Sequence, residues 1–305
     1  MVKVASMYYE EGLTQAQIAN IRGVSRSLIS KLLIDAKEAG IVEIIIKSES
    51  IYTIRLERAL EKRYNLKNAV IIDTSDVSEE EIAKMVGQQA SIYLSKIIGN
   101  YKKIGMSWGR SLKNLVNSFP YIVNSDSTVI PIIGGMSDNY FDIQSNQLSH
   151  ELARKMRGNA KYLYAPAIVS NMSLHDDLIN NNAIQSIIQD AKNVELALVG
   201  ISTLDLESNM RKIGYLTEDD IEELRKQGGI GVINSRFYNK YGIEIDNKIN
   251  SNGIGLTLEE IKNIPDIMTV VHGDRKCDAI RVALEANLIN IIVTTNTVAE
   301  KLLNM

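Results

Sequence analysis

The chain has 305 residues, 45% of them hydrophobic and 23% charged, with a net charge of −3. This is globular composition, long enough for one large domain plus a small one, and it excludes a polycation that holds nucleic acid through bulk charge. A single cysteine, Cys277, excludes an internal disulfide and a multi-cysteine metal centre. The three histidines, His150, His175 and His272, share no metal-ligand spacing. The opening "MVKVASMYYEEGLT" meets acid at Glu10 and lacks a signal-peptide core. No apolar run approaches the ~18 residues of a membrane span. A soluble, cytoplasmic protein without metal, cofactor or membrane partner is expected.

In chain order, "VKVASMYYEEG" suits a first helix with Val4, Met7 and Tyr8 inward. Thr14 caps a second, short helix over residues 15–21, and Gln17 completes a capping box. Gly23 stands where a tight interhelical turn needs a permissive backbone. Ser25 caps a third helix whose buried stripe is Ile29, Leu32 and Leu33. The spacing of Ala19, Gly23, Val24, Ile29 and Leu32 fits a helix-turn-helix. Its outward face offers Ser25, Arg26, Ser27, Ser30 and Lys31, short hydroxyls and cations suited to phosphates and base edges of operator double-stranded DNA. Residues 22–37 carry Arg22, Arg26, Lys31 and Lys37 against Asp35 alone, a local basic patch. The β-branched run "IVEIIIK" predicts a wing, making residues 1–48 a winged helix-turn-helix domain. The bland alternative is a helical cap with no DNA role.

Residues 49–66 read as an amphipathic connector helix, with Ile51, Ile54, Ala59, Leu60 and Tyr64 recurring at mixed three- and four-residue steps among charges. Such a helix is either a dimer seam or packed on its own large domain. From residue 67 to 305 short apolar runs recur: "NAVIID", "KKIGMS", "STVIPII", "AKYLYA", "VELALVGI", "GIGVI", "IMTVVH" and "INIIVTT". Helical patterns fall between most of them, at 79–98, 112–117, 148–157, 178–191, 218–227, 275–286 and 298–303. Unalternated strands separated by helices predict an α/β domain with a mainly parallel sheet covered on both faces. Ligands of such sheets lie outside the carboxyl ends of the strands.

The loops at those ends should therefore carry function. "GMSWGRS" offers Ser107, Gly109, Arg110 and Ser111 at a helix start, with Trp108 as pocket wall or core. "GGMSDN" offers Gly134 and Gly135, for close backbone approach to a ligand or simply for packing. "APAIVS" is stiffened by Pro166, and "VGISTLD" brings Ser202, Thr203 and Asp205. "NSRFYNKYG" supplies Asn239 and Arg236, the latter a ligand group or a structural ion pair. "HGDRKCDAI" puts His272, Gly273, Asp274 and Lys276 at another helix start. Helix N-termini with cations favour an anion, and hydroxyls with Asn and Asp favour a polyhydroxylated body. Together they suggest a phosphorylated sugar or sugar-like effector. Neither a Walker-type phosphate loop nor a GxGxxG after the first strand is present.

These motifs, taken in order, resemble the SorC family of sugar-sensing bacterial transcriptional regulators from end to end. The resemblance rests on the helix-turn-helix, "IGMSWGRSL", "PIIGGMS", "LYAPAIV", "LALVGIS", "GVINSRFYNKYG" and "IPDIMTVVHGDRKCDAIRVALEANLINIIVTTNTVAEKLL". It implies a large domain similar to the sugar-phosphate isomerase and deaminase fold, a homodimer or homotetramer, and operator binding altered by a phosphorylated sugar. It further implies a phosphate side of Ser107, Gly109, Arg110, Ser111, Gly273 and Lys276, and a sugar side of Gly134, Gly135, Arg236 and Asn239. Two departures stand out. Asn239 replaces the Asp common in the family, and His272 replaces the first of two glycines. Ile133 precedes the glycine pair, so no lysine there can form a Schiff base. The rival functions are a sugar-phosphate isomerase-type enzyme, which would need a poised base such as Asp205, Asp274 or His272, and a regulator that senses a nucleotide. No acid–base pair at recognisable spacing supports the enzyme.

Overall fold

The computed structural model describes residues 1–42, 51–75, 77–135, 138–205, 209–212 and 214–305. The chain divides into two compact units, Met1–Ile51 and Tyr52–Met305.

The first unit is built from α1 (Val2–Tyr9), α2 (Gln15–Arg22) and α3 (Arg26–Glu38). Thr14 and Gln17 form both halves of the capping box, so α2 starts where the sequence places it. Gly23 ends α2 in the left-handed conformation at φ 67°, a geometry that side chains with a Cβ resist. The Ser25 hydroxyl accepts from the Leu28 N–H and starts α3. Val4, Met7, Ile18, Ala19, Ile29, Leu33 and Ala36 form a small core. Leu32 and Tyr8 border it, half-buried. Val24, expected to pack, is exposed, because it sits in the turn ahead of the Ser25 cap and outside the helix seam. The expected wing falls largely on residues 43–50, outside the described residues.

The second unit opens with α4 (Ile51–Tyr64), β1 (Asn68–Ile72), α5 (Glu79–Ile97), β2 (Lys103–Met106), α6 (Arg110–Ser118), β3 (Thr128–Pro131), α7 (Ser145–Met156) and β4 (Asn159–Ala160). It continues with α8 (Met172–Ile179), α9 (Asn182–Lys192), β5 (Leu196–Val199), β6 (Ile201–Ser202), α10 (Asn209–Lys212), α11 (Glu218–Lys226), β7 (Gly229–Ile233) and β8 (Arg236–Asn239). The last elements are α12 (Lys248–Ser251), α13 (Leu258–Lys262), β9 (Asp266–Val270), α14 (Cys277–Glu285), β10 (Ile291–Thr295) and α15 (Asn296–Asn304).

Among the described residues, seven strands form one sheet in the order β1-β10-β9-β5-β2-β3-β4, and every pairing is parallel. β5 is buried along its whole length, as a central strand covered by helices must be. Two large apolar clusters lie on the sheet's faces. One centres on Val86, Leu94, Leu112, Leu115 and Leu152, the other on Leu60, Ile188, Ile261, Ile280 and Leu302.

Four local expectations are corrected. "GIGVI" is not part of the parallel sheet; β7 pairs antiparallel with β6 and β8 in a separate three-stranded sheet. "VELALVGI" splits into β5 and β6, with Gly200 between the two sheets. "AKYLYA" yields only the two-residue edge strand β4. The helix expected over 178–191 is broken into α8 and α9, because Asn181 caps the second by accepting from the Ala183 N–H. The connector helix α4 packs on its own unit. Leu60 and Tyr64 are buried, the Tyr64 hydroxyl donates to the Leu302 carbonyl at 2.9 Å, and Glu57 and Glu61 accept from Ile71 and Ala69 N–H groups on β1.

Candidate effector site

The chain runs outward through β2, β3 and β4 in one direction and through β5, β9 and β10 in the other. β2 and β5 are thus the strands at which the order reverses, the place where open α/β sheets leave a crevice. A cavity of about 270 Å³ lies there. Its walls come from the end of β2 (Trp108 to Ser111), from Gly200 to Thr203 and Asp205 after β5, and from His272 and Lys276 after β9. The β7–β8 hairpin closes another side with Val232, Asn234, Ser235 and Phe237, and Met210 and Leu216 add apolar surface.

The first wall begins at Gly109, which holds φ +128° at the N-terminus of α6 without a side-chain cap. The nine-residue helix therefore presents uncapped N–H groups beside Arg110 and Ser111. The Trp108 indole N–H donates to the Ser235 hydroxyl at 3.0 Å, which fixes the ring as a wall of the cavity. Ser107 is different: it is buried and absent from the lining, and its hydroxyl donates to Asn234 Oδ1 at 2.8 Å. The Asn234 amide in turn donates to the Ile132 and Leu256 carbonyls. Ser107 thus secures the hairpin instead of facing a ligand.

The Lys276 ammonium has no hydrogen-bond or ion-pair partner among the described residues, and the half-buried side chain lines the cavity. Burial holds its ammonium below the usual lysine range, partly offset by the Asp205 carboxylate. Asp205 accepts from the Thr203 hydroxyl at 2.9 Å. His272 also faces the cavity; burial, and then the Lys276 charge, push its imidazole down, so it is neutral at pH 7 and able both to donate and to accept. Gly273 lines an adjoining cleft with Glu79, Asp274 and Thr297, and His272 is shared between the two.

The four residues of the expected sugar side are not brought to the cavity. A Cβ on Gly134 would lie 2.5 Å from the Pro166 carbonyl oxygen, so this glycine serves close packing of two loops. The Gly134 and Gly135 N–H groups are taken by the Ile254 and Ala165 carbonyls at 3.0 and 2.8 Å. Arg236 is buried and donates to the carbonyls of Asn250, Leu256, Gly253 and Gly255, with Glu244 at 3.4 Å. Asn239 Oδ1 accepts from the Tyr241 and Ile243 N–H groups at 2.9 and 3.2 Å and shapes a turn. The hairpin tip reaches the cavity where those side chains do not. Asn234 and Ser235 both have positive φ, 52° and 57°, as a two-residue hairpin turn requires. Asn-Ser between the apolar runs "GIGVI" and "RFY" was the available signal for that hairpin.

A mainly parallel sheet with a lined crevice at its switch point, preceded in the chain by a helix-turn-helix, defines a ligand-responsive transcriptional regulator. The "Sugar-bind" family of sugar-binding domains matches residues 48–304, and the chain belongs to this family, that of the SorC-type sugar-sensing regulators. It is similar over 99% of its length to the sorbitol operon regulator of Klebsiella pneumoniae, at 28% identity and over 97% of that protein. The full-length crystal structure of that regulator, covering 99% of this chain and 97% of that one, superposes with a TM-score of 0.79. A DeoR family transcriptional regulator from Listeria monocytogenes is 41% identical, over 82% of this chain and 99% of that one, with a TM-score of 0.78. The deoxyribonucleoside regulator of Bacillus subtilis is 25% identical over 99% of this chain and 96% of that protein.

Proposed function

We propose that this sugar-responsive DNA-binding regulator senses a small phosphorylated sugar, or a sugar-like phosphate, in the cavity between β2, β5 and β9. The observation that carries the reading is Lys276, a half-buried cation with a desolvated ammonium that lines the same cavity as the uncapped start of α6. A desolvated ammonium without a protein partner is unfavourable until an anion arrives. The phosphate end belongs with Gly109, Arg110, Ser111 and Lys276. The hydroxylated end belongs with Thr203, Asp205, Ser235 and His272. Ser25, Arg26, Ser27, Ser30 and Lys31 serve operator DNA, and Ser25 does so partly by capping α3. The protein acts in the cytoplasm as a homodimer or homotetramer and as a switch, not as a catalyst. Its effector must favour one DNA-binding state over another.

Thermal unfolding against phosphorylated sugars, their unphosphorylated parents and nucleotides tests the reading. A ligand at one hundred times its Kd adds about 2.7 kcal/mol of apparent stability. The expected pattern is a shift with particular sugar phosphates, none with the parent sugars, and no turnover of any ligand. A shift with nucleotides alone, or steady consumption of a sugar phosphate, would refute it.

A further inference from the structure

The outward face of α3 is not uniformly polar. Ser27, Lys31 and Ile34 follow one another at helical spacing on the side opposite the buried Ile29, Leu33 and Ala36. Ile34 is 55% exposed, the most exposed large apolar side chain on this helix, and Leu28 on its first turn is 43% exposed. The charges divide unevenly along the same helix. Arg26 and Lys31 stand without an acid in its first two turns, whereas its last turn carries Asp35 and Glu38 with Lys37 between them. A polyanionic duplex is therefore met by the N-terminal part of α3, and Ile34 is the last outward residue before the acids.

We infer that Ile34 and Leu28 read thymine methyl groups in the operator, flanking the base pair approached by Lys31. In the major groove the C5-methyl of thymine is the one apolar feature of a base edge, and apolar side chains are its natural contacts. Three residues of α-helix advance about 4.5 Å, close to the ~3.4 Å rise of one base pair. Ile34 and Leu28 each stand that distance from Lys31, on either side, so each overlies a neighbouring step. An exposed isoleucine next to phosphates gains nothing from water, but it gains the burial of a methyl-sized group when it meets thymine.

The inference rests on the DNA-binding function, and its test separates the two. Selection of duplexes from a randomised pool with the full-length chain gives the half-site. Each selected thymine is then replaced by uracil, which removes only the methyl. For the unaltered protein, uracil at one flanking position should weaken binding about fourfold, the worth of one buried methyl. In Ile34→Ala or Leu28→Ala that penalty should vanish at the matching position, while the dependence of affinity on salt stays the same, since no phosphate contact is lost. Ile34 is exposed, so its truncation leaves the core of the unit intact. Equal binding of thymine and uracil sites by the unaltered protein, a penalty that persists in both variants, or a changed salt dependence would each overturn the inference. Failure to retain any duplex would overturn the DNA-binding reading along with it.

Discussion

Two cations in the second unit look alike in sequence and differ in their surroundings: Arg236 is buried, Lys276 half-buried. Arg236 and Lys276 both lie near the ends of strands, in motifs that suggest a ligand. Arg236 is surrounded by four backbone carbonyls and Glu244, all its donors engaged at once. Lys276 faces a cavity with only the field of Asp205 to offset its burial. The difference teaches that partner count, not charge or position in a motif, separates a clamp from a receptor. A saturated cation holds the fold together, and an unsaturated one is left able to take an anion.

The contrast can be broken most forcefully at Arg236. Arg236→Ala should lower stability to urea by about 3 kcal/mol, because it takes the donor away from several buried carbonyls at once. Loss of effector response in a protein of unchanged stability would mean that the clamp belongs to the site after all. Next in size is Gly134→Ala, where the added carbon meets backbone oxygens. A loss of about 2 kcal/mol is expected in the same urea titration, with sugar-phosphate binding retained in the folded fraction. Lys276→Met should act in the other direction. Removing a desolvated charge should raise the stability of the ligand-free protein by about 1 kcal/mol at pH 7 and abolish the thermal shift with sugar phosphate.

The sign of the Lys276 effect follows from the depressed pKa. Between the folded and unfolded values the unfolded chain binds more protons, so the unaltered protein gains stability as pH rises through that window. The advantage of Lys276→Met should therefore fade toward the ordinary lysine pKa of about 10.4. Unfolding curves at pH 7 and pH 10 check this, and an advantage that grows with pH would contradict it. The smallest effect is expected for Asn239→Asp. Both residues offer the acceptor that the turn uses, so stability should stay within about 0.5 kcal/mol and ligand preference should not change. A changed preference in the ligand panel would return this residue to the site.

The parallel sheet was legible because its strands are continuous apolar runs with helical spacing between them, a pattern that few other folds produce. The cavity wall at the ends of β2 and β9 was legible in part. A glycine at a helix start is visible as "SWGRS", and Lys276 as a cation at the start of another helix. The opposite wall was not, because it is made by the tip of a hairpin that folds over from a second sheet. Nothing in "INSRF" states that Asn234 and Ser235 approach Trp108, 127 residues away for each of the pairs Ser107–Asn234 and Trp108–Ser235. Gly134 and Arg236 misled for a related reason. Close approach of a backbone and a multiply coordinated guanidinium serve a protein's own loops as readily as a ligand, and the chain does not write down which.

The closing helix α15 has a consequence for how the protein can be handled. Lys301 donates to the Asp274 carbonyl at 3.3 Å, two residues before Lys276, while Glu300 accepts from Tyr52 and the carbonyls of Leu302 and Leu303 accept from Tyr64 and Arg63 on α4. One short helix thus ties α4 to the loop that presents Lys276, within the second unit. A substitution in α15 would therefore reach that loop and α4 together.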